Sequence, residues 1–246
     1  MKKIEILNGV VKVFCLTEEA VVKSWYENNQ ISADFLQSLC SATEEKKPFS
    51  EVNFIPSKKF VTPKRIKPGM FYYADGLIFP ELIKDNQVSA IVGYAGKDRV
   101  LGVGLRETEL PWSSDWLYVN MPTGLSGEEA TALILKTAKE KHKKAEAAEW
   151  CTKYAFDGIE AGTGFMPSKE ELKLIFGNRK KLRQSFALLI NSEGLSADSL
   201  QDEAFYWSSS ESYRSTCAWD VRPSGGHMHG NDGKGNTRAV RCVLAF

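Results

Sequence analysis

His227 and His229, one residue apart, and five scattered cysteines are the side chains of this 246-residue chain best suited to chemistry. On a strand, residues two apart share a face, so His227-x-His229 would set two imidazoles side by side at a spacing compatible with a transition metal. No third ligand is identifiable, and neither a metal site nor a cofactor is expected. Cys242 lies within the apolar run Val240-Arg241-Cys242-Val243-Leu244-Ala245-Phe246 and reads as core. Cys15, Cys40, Cys151, Cys217 and Cys242 are odd in number and never form Cys-x-x-Cys, so they read as reduced, mostly buried thiols. The glycines between Gly225 and Gly235 have neither the flanking strand and helix nor the Gly-Lys-Ser or Gly-Lys-Thr of a phosphate loop. Of three histidines, one sits in a lysine-rich run and two in the tail, which leaves no general base beside a nucleophile. No catalytic residue is assigned, and the chain is expected not to be an enzyme.

What these residues offer instead is a surface. Phe205-Tyr206-Trp207, Ala218-Trp219 and the closing run to Phe246 form an aromatic and apolar frame that needs burial. The filling, Ser224-Gly225-Gly226-His227-Met228-His229-Gly230-Asn231-Asp232-Gly233-Lys234-Gly235-Asn236-Thr237, has too little apolar area for a core of its own. Strand alternation sends Trp219 and Val221 inward and Asp220 and Arg222 outward, with His227 and His229 on one face opposite Met228.

The elements that must hold this frame follow from periodicity. Asn8-Gly9, between Ile4–Leu7 and Val10–Phe14, suits a tight hairpin. Thr17 and Ser32 are N-caps for two short helices. A small N-terminal module over 1–45 then gives way to a Lys-, Glu- and Pro-rich linker over 46–67 and a larger domain over 68–246. In that domain strands are expected at Met70–Tyr73, Val88–Tyr94 and Arg99–Leu105, broken by Asp and Gly turn residues. Ser126 with Glu129 and Ser168 with Glu171 are capping boxes that open two helices, and a third is expected over Asn178–Ile190. The last strand alternates so that Ala239, Arg241, Val243 and Ala245 oppose Val240, Cys242, Leu244 and Phe246. Helices inserted between strands, with N- and C-terminal strands meeting in one sheet, give an α+β domain.

Composition narrows the partners. Lysine and arginine total 32 against 31 aspartates and glutamates, without the one-signed stripe that nucleic acid requires. The run Lys139–Lys144 is the solvated face of a helix. No stretch reaches the length of a membrane span and no secretion signal is read, so membrane insertion is not expected and the address of the protein stays open between a virion and a cell surface reached by another route.

Several of these segments resemble a known family. Trp150-Cys151-x-x-Tyr154, Gly164-Phe165-Met166-Pro167-Ser168-x-x-Glu171-Leu172, Tyr206-Trp207-Ser208-Ser209-Ser210-Glu211, Ala218-Trp219 and Val240-Arg241-Cys242-Val243 look like a bacterial C-type-lectin-like domain. The nearest versions are the variable proteins of diversity-generating retroelements in gut Bacteroidetes and their phages. The resemblance covers about 67–246 and is most specific in the tail. It implies a mixed, mainly antiparallel sheet with two or three packed helices, and a variable region over about 206–246 rewritten at adenines, mostly in Asn codons. Such rewriting never yields Lys, Glu, Gln, Met or Trp. From Ser212 to Arg238 only Trp219, Met228 and Lys234 fall outside the permitted set, as fixed anchors would.

On that resemblance the ligand-binding face comprises Tyr213, Arg214, Thr216, Cys217, Asp220, Arg222, Ser224, His227, His229, Asn231, Asp232 and Asn236, held by the anchors Trp207, Trp219, Val221 and Arg241. Tyr213 and Arg214 stand first, being of types enriched at binding hot spots. The implied partner is a protein or glycan on a cell surface, with the N-terminal module attaching the domain to a phage or other scaffold or to further copies of itself. Gly-Phe-Met-Pro-Ser departs from the family's Gly-Trp motif, and Trp219-Asp220 alone does not make the calcium site of animal lectins. The other readings are a lectin-fold adhesin or structural module without diversification, and an oxidoreductase similar to formylglycine-generating enzymes, which use a redox-active cysteine pair for which Cys217 and Cys242 are the only candidates.

Overall fold

The computed structural model describes residues 62–83, 86–192 and 196–246 in full, and 4–7 and 10–13 as backbone. The chain divides into two units, Met1–Phe60 and Val61–Phe246. In the first, β1 (Ile4–Leu7) and β2 (Val10–Val13) pair antiparallel with Leu7 opposite Val10, the hairpin expected around Asn8-Gly9. They form a two-stranded sheet of their own. The helices expected after Thr17 and Ser32, and the linker up to Val61, lie outside the described residues.

The second unit is α+β. Its strands are β3 (Phe71–Tyr73), β4 (Ile78–Phe79), β5 (Val88–Ala95), β6 (Val100–Pro111), β7 (Tyr206–Glu211), β8 (Cys217–Val221), β9 (Met228–Gly233) and β10 (Thr237–Ala245). They form one eight-stranded sheet in the order β4-β3-β5-β6-β10-β7-β8-β9. Every pairing is antiparallel except β10 with β7. The domain's first strand, β3, and its last, β10, thus share the sheet. Among the described residues the helices are α1 (Gly127–Lys141), α2 (Glu146–Lys153), α3 (Lys169–Phe176) and α4 (Arg179–Ile190). No helix among them is long and apolar enough to cross a membrane.

Both capping boxes form as their sequences require, with Ser126 and Ser168 accepting from the N–H groups of Glu129 and Glu171. Glu171 does more than cap its own helix. Its carboxylate also accepts from Gly127 N–H at 3.0 Å and pairs with Arg99 at 2.9 Å, fastening the starts of α1 and α3 to the turn before β6. A Cβ at Gly127 would lie 2.4 Å from that carboxylate, which is why glycine opens α1.

Burial follows the alternation read in β10. Ala239 and Val243 pack with Leu172, Ile175 and Phe176 of α3 and Leu182, Phe186 and Leu189 of α4. Val240, Cys242 and Leu244 pack with Ile134 and Ala138 of α1 and Ala147, Ala148 and Cys151 of α2. The sheet is covered on both faces, so β10 reads as a nearly continuous apolar run. The run Lys139–Lys144 is exposed, as expected of a solvated face.

Three features differ from the sequence reading, and the first makes four packed helices among the described residues where two or three were expected. Helix α2 had no start signal, because its N-cap is Ala145 and makes no side-chain hydrogen bond. Strand β4, of two residues, is below what periodicity resolves. Strand β6 continues past Leu105 to Pro111, since its polar second half is paired with β10 from Thr237 to Arg241.

Candidate functional site

The β7–β8–β9 end of the sheet carries the residues singled out in the sequence, and its rigidity comes from buried polar anchors. Trp207 is buried and donates its indole N–H to Leu110 O at 3.1 Å. Tyr206 donates to Glu107 at 2.8 Å and accepts from Gln201 N–H, and burial pushes its phenol pKa up. Arg241 lies beneath, paired with Glu107 and donating to the carbonyls of Gly104 and Asp198 at 3.0 Å each. Val221 is fully buried, as its role in the frame requires.

Lys234, one of the three residues outside the permitted set, is 0% exposed. Its ammonium pairs with Glu211 and donates to Leu117 O at 2.6 Å and Ser215 O at 2.8 Å, over the Trp112 ring. Burial lowers its pKa, against the opposing pull of Glu211. Glu211 in turn accepts from the N–H groups of Val119 and Met121 at 2.9 and 3.0 Å. One buried ion pair therefore joins the β7–β8 turn, the β9–β10 turn and the segment 117–121.

That segment leads into one wall of a groove of about 350 Å³, with α3 and β7–β8 supplying the rest. Met121, Leu125, Lys169, Ser212, Tyr213 and Trp219 line it. Trp219 was expected to face the core; instead it is half-buried, with Lys169 4.8 Å above its ring. Its indole lies so close to Gly230 that a Cβ there would come within 2.7 Å. Glycine at 230 is thus what lets Trp219 lie flat against β9. Nothing in the sequence marks Lys169 or the segment 121–125 as part of this region. Chain crossovers bring them there, although the isolated Lys234 was a usable cue for a buried anchor.

Around the groove, the β7–β8 turn displays Tyr213, which is 79% exposed, and Arg214, whose guanidinium lies 5.5 Å from the Tyr213 ring centre. Tyr213 also donates to Asn231 at 3.3 Å. Thr216, His227, His229, Asn231 and Asn236 are exposed, and Arg222 and Ser224 are half-buried. Arg222 is engaged with Glu203 at 3.5 Å and over Phe205. Met228 is exposed at the start of β9, while His227 precedes that strand.

Cys217, Asp220 and Asp232 are not where outward-facing positions would be. All three are buried. Asp220 lies in an interior strand opposite Trp207 of β7 and His229 of β9, and Arg238 from β10 closes over it. Asp232 shares Arg238 and accepts from Asn236 at 2.6 Å. Cys217 opens β8 opposite Gly233. Burial, with the hydrogen bond and charge of Asp232, pushes the Asp220 carboxyl up to about 8. Burial pushes Asp232 the same way, but hydrogen bonds from Asp220 and Asn236 and the Arg238 charge carry it below the usual carboxylate range. Cys242, the other thiol weighed for redox chemistry, is fully buried in β10, with Cys151 of α2 beside it.

No protein-family model matches the chain, and no curated relative matches it in sequence. Among solved structures, a fimbrial protein from Bacteroides ovatus superposes with a TM-score of 0.58 at 17% identity, covering 74% of this chain and 49% of that one. The chain spans about half the length of that protein. At this identity the likeness is one of fold, and it places the domain as an α+β structure similar to part of a fimbrial protein.

Proposed function

We propose that the protein is a non-enzymatic recognition module that binds a protein or glycan on a cell surface through the β7–β9 face and its adjoining groove. The observation that carries this is the contrast between the exposed Tyr213–Arg214 tip and the fully buried Lys234 that holds its turn. A rigid aromatic and a guanidinium on a fixed turn supply large contact area at low entropic cost. The fimbrial nature of the structural neighbour fits adhesion. In the finer form of this proposal the domain is C-type-lectin-like, its exposed tail positions are diversified by a retroelement, and the N-terminal module attaches it to a scaffold. Multivalent display then raises avidity by about a hundredfold or more. A second reading, an adhesin with a fixed face, is favoured by one observation: Cys217, Asp220 and Asp232 fall among the permitted residue types yet are buried.

The test is binding of the full chain to glycan and protein arrays and to intact bacterial and host cells. Tyr213→Ala with Arg214→Ala is expected to weaken capture about 30-fold or more, as loss of hot-spot contacts does, while the melting temperature stays unchanged. Undiminished binding by the double variant would remove this face from the account.

A further inference from the structure

We propose that Asp220, His229 and Asp232 form a site for one transition-type divalent cation, of the zinc or cobalt class, on the β8–β9 ribbon. The site does not rest on the recognition reading, and it takes His229 and Asn236 out of the positions free to change on that face.

A register shift assembles it. Ala218 pairs with Asp232 and Asp220 with His229, so β9 advances three residues where β8 advances two. On a regular strand His229 and Asp232 would point to opposite faces. The extra residue re-aims one of them, and both meet Asp220. One donor atom from each of the three lies within 4.8 Å of the other two.

The Asp220 side chain is 0% exposed, and its Oδ1 makes no hydrogen bond. A buried carboxylate oxygen without a partner is costly. It stands 3.6 Å from His229 Nδ1, too far for a good hydrogen bond. That separation suits two ligands of one ion, because metal bonds of about 2.0–2.1 Å at tetrahedral to trigonal angles put neighbouring donors about 3.3–3.6 Å apart. Asp232 completes the set with a closing movement of about an ångström.

Asp220 Oδ2 and both oxygens of Asp232 accept hydrogen bonds that orient the two carboxylates, and a second lone pair on an Asp232 oxygen is left for the ion. The Arg238 guanidinium takes Oδ2 of both carboxylates, and Asn236 donates to Asp232 Oδ1 at 2.6 Å. Once a cation displaces the proton held on Asp220, two carboxylates face one guanidinium, and the remaining negative charge is the cation's to neutralise. One imidazole nitrogen with two carboxylate oxygens fits zinc or cobalt, whereas calcium takes six to eight oxygens. His229 is 55% exposed, which leaves solvent to fill the open coordination position. His227, before the strand, is not part of the set.

The probes are the metals alone: EDTA-treated full-length protein titrated with zinc chloride by calorimetry and with cobalt chloride by absorbance. One ion per chain is expected, with visible cobalt bands but no thiolate charge-transfer band. His229→Gln should weaken binding by more than about 100-fold, beyond what loss of an outer hydrogen-bond partner costs, and Asp220→Asn likewise, while His227→Gln binds as before. His229 is exposed enough for its variant to fold even where Asp220→Asn does not. No saturable binding, a thiolate band, or equal affinity in His229→Gln would overturn the site.

Discussion

Lys234→Ala is expected to destabilise the Val61–Phe246 unit by about 3–5 kcal/mol, the range typical of breaking a buried pair by removing one partner. The ammonium is fully buried, so its loss takes the Lys234 donor from the carbonyls of Leu117 and Ser215 and leaves the Glu211 charge with only the Val119 and Met121 N–H groups. Shape alone does not repair this. Lys234→Met restores most of the volume and none of the hydrogen bonds, whereas Lys234→Met combined with Glu211→Gln removes the stranded charge and should recover part of the loss. Urea unfolding followed by tryptophan fluorescence reads all three variants. Equal stability of wild type and Lys234→Ala would show that the pair is not the anchor described. Ser215 lies in the turn carrying Tyr213 and Arg214, and Glu211 holds the 119–121 backbone beside the groove. The same variant should therefore blunt ligand capture while that turn remains present in sequence.

Arg241→Met is the second large effect, again about 3–5 kcal/mol for a stranded buried partner. The cause here is a bulge. Arg241 pairs with Glu107 and Val243 with Val103, so β6 carries extra residues between those two pairings. The carbonyls of Gly104 and Leu105 fall in that stretch, and Arg241 supplies donors to both as well as to Asp198, Ser199 and Glu107. The guanidinium also lies 4.7 Å from the Phe186 ring centre, which ties α4 to the same point. Only a planar, many-donor cation meets that set, so Arg241→Lys should recover little of the loss. Full rescue by lysine, measured in the same unfolding experiment, would contradict the role given to the guanidinium.

The parts of the fold legible in the sequence are those written in local chemistry. Ser126 and Ser168 announce their helices because a capping box needs only residues three apart, and β10 announces its burial because its own alternation is regular, the extra residues of the bulge lying in β6. Helix α2 escaped because nothing caps it. The site was harder, for a reason that Asp220 illustrates. Alternation correctly placed it opposite Val221, but whether a face is covered depends on Arg238 and His229 arriving from other strands. His229 was weighed with His227, its neighbour at strand spacing, when its partners lie across a bulge that pairing alone determines. Tyr213 and Arg214 were legible as surface because a tight polar turn between two strands has nowhere else to go. The groove beside them was not, since Lys169 and Trp219 meet only once α3 packs on the sheet.

The central claim is a division within one segment: displayed positions free to change, on a frame that is not. The measurement that tests it most directly is the DNA sequence beside the gene, searched for a near-copy of the stretch encoding Tyr206 to Phe246 and compared base by base. The account predicts mismatches opposite adenines, concentrated at the codons of Tyr213, Arg214, Thr216, Arg222, Ser224, His227 and Asn231. It predicts none at Trp207, Lys234 or Arg241. The absence of such a copy, or mismatches spread evenly over buried and exposed codons without regard to adenine, would contradict diversification and leave an adhesin with a fixed face.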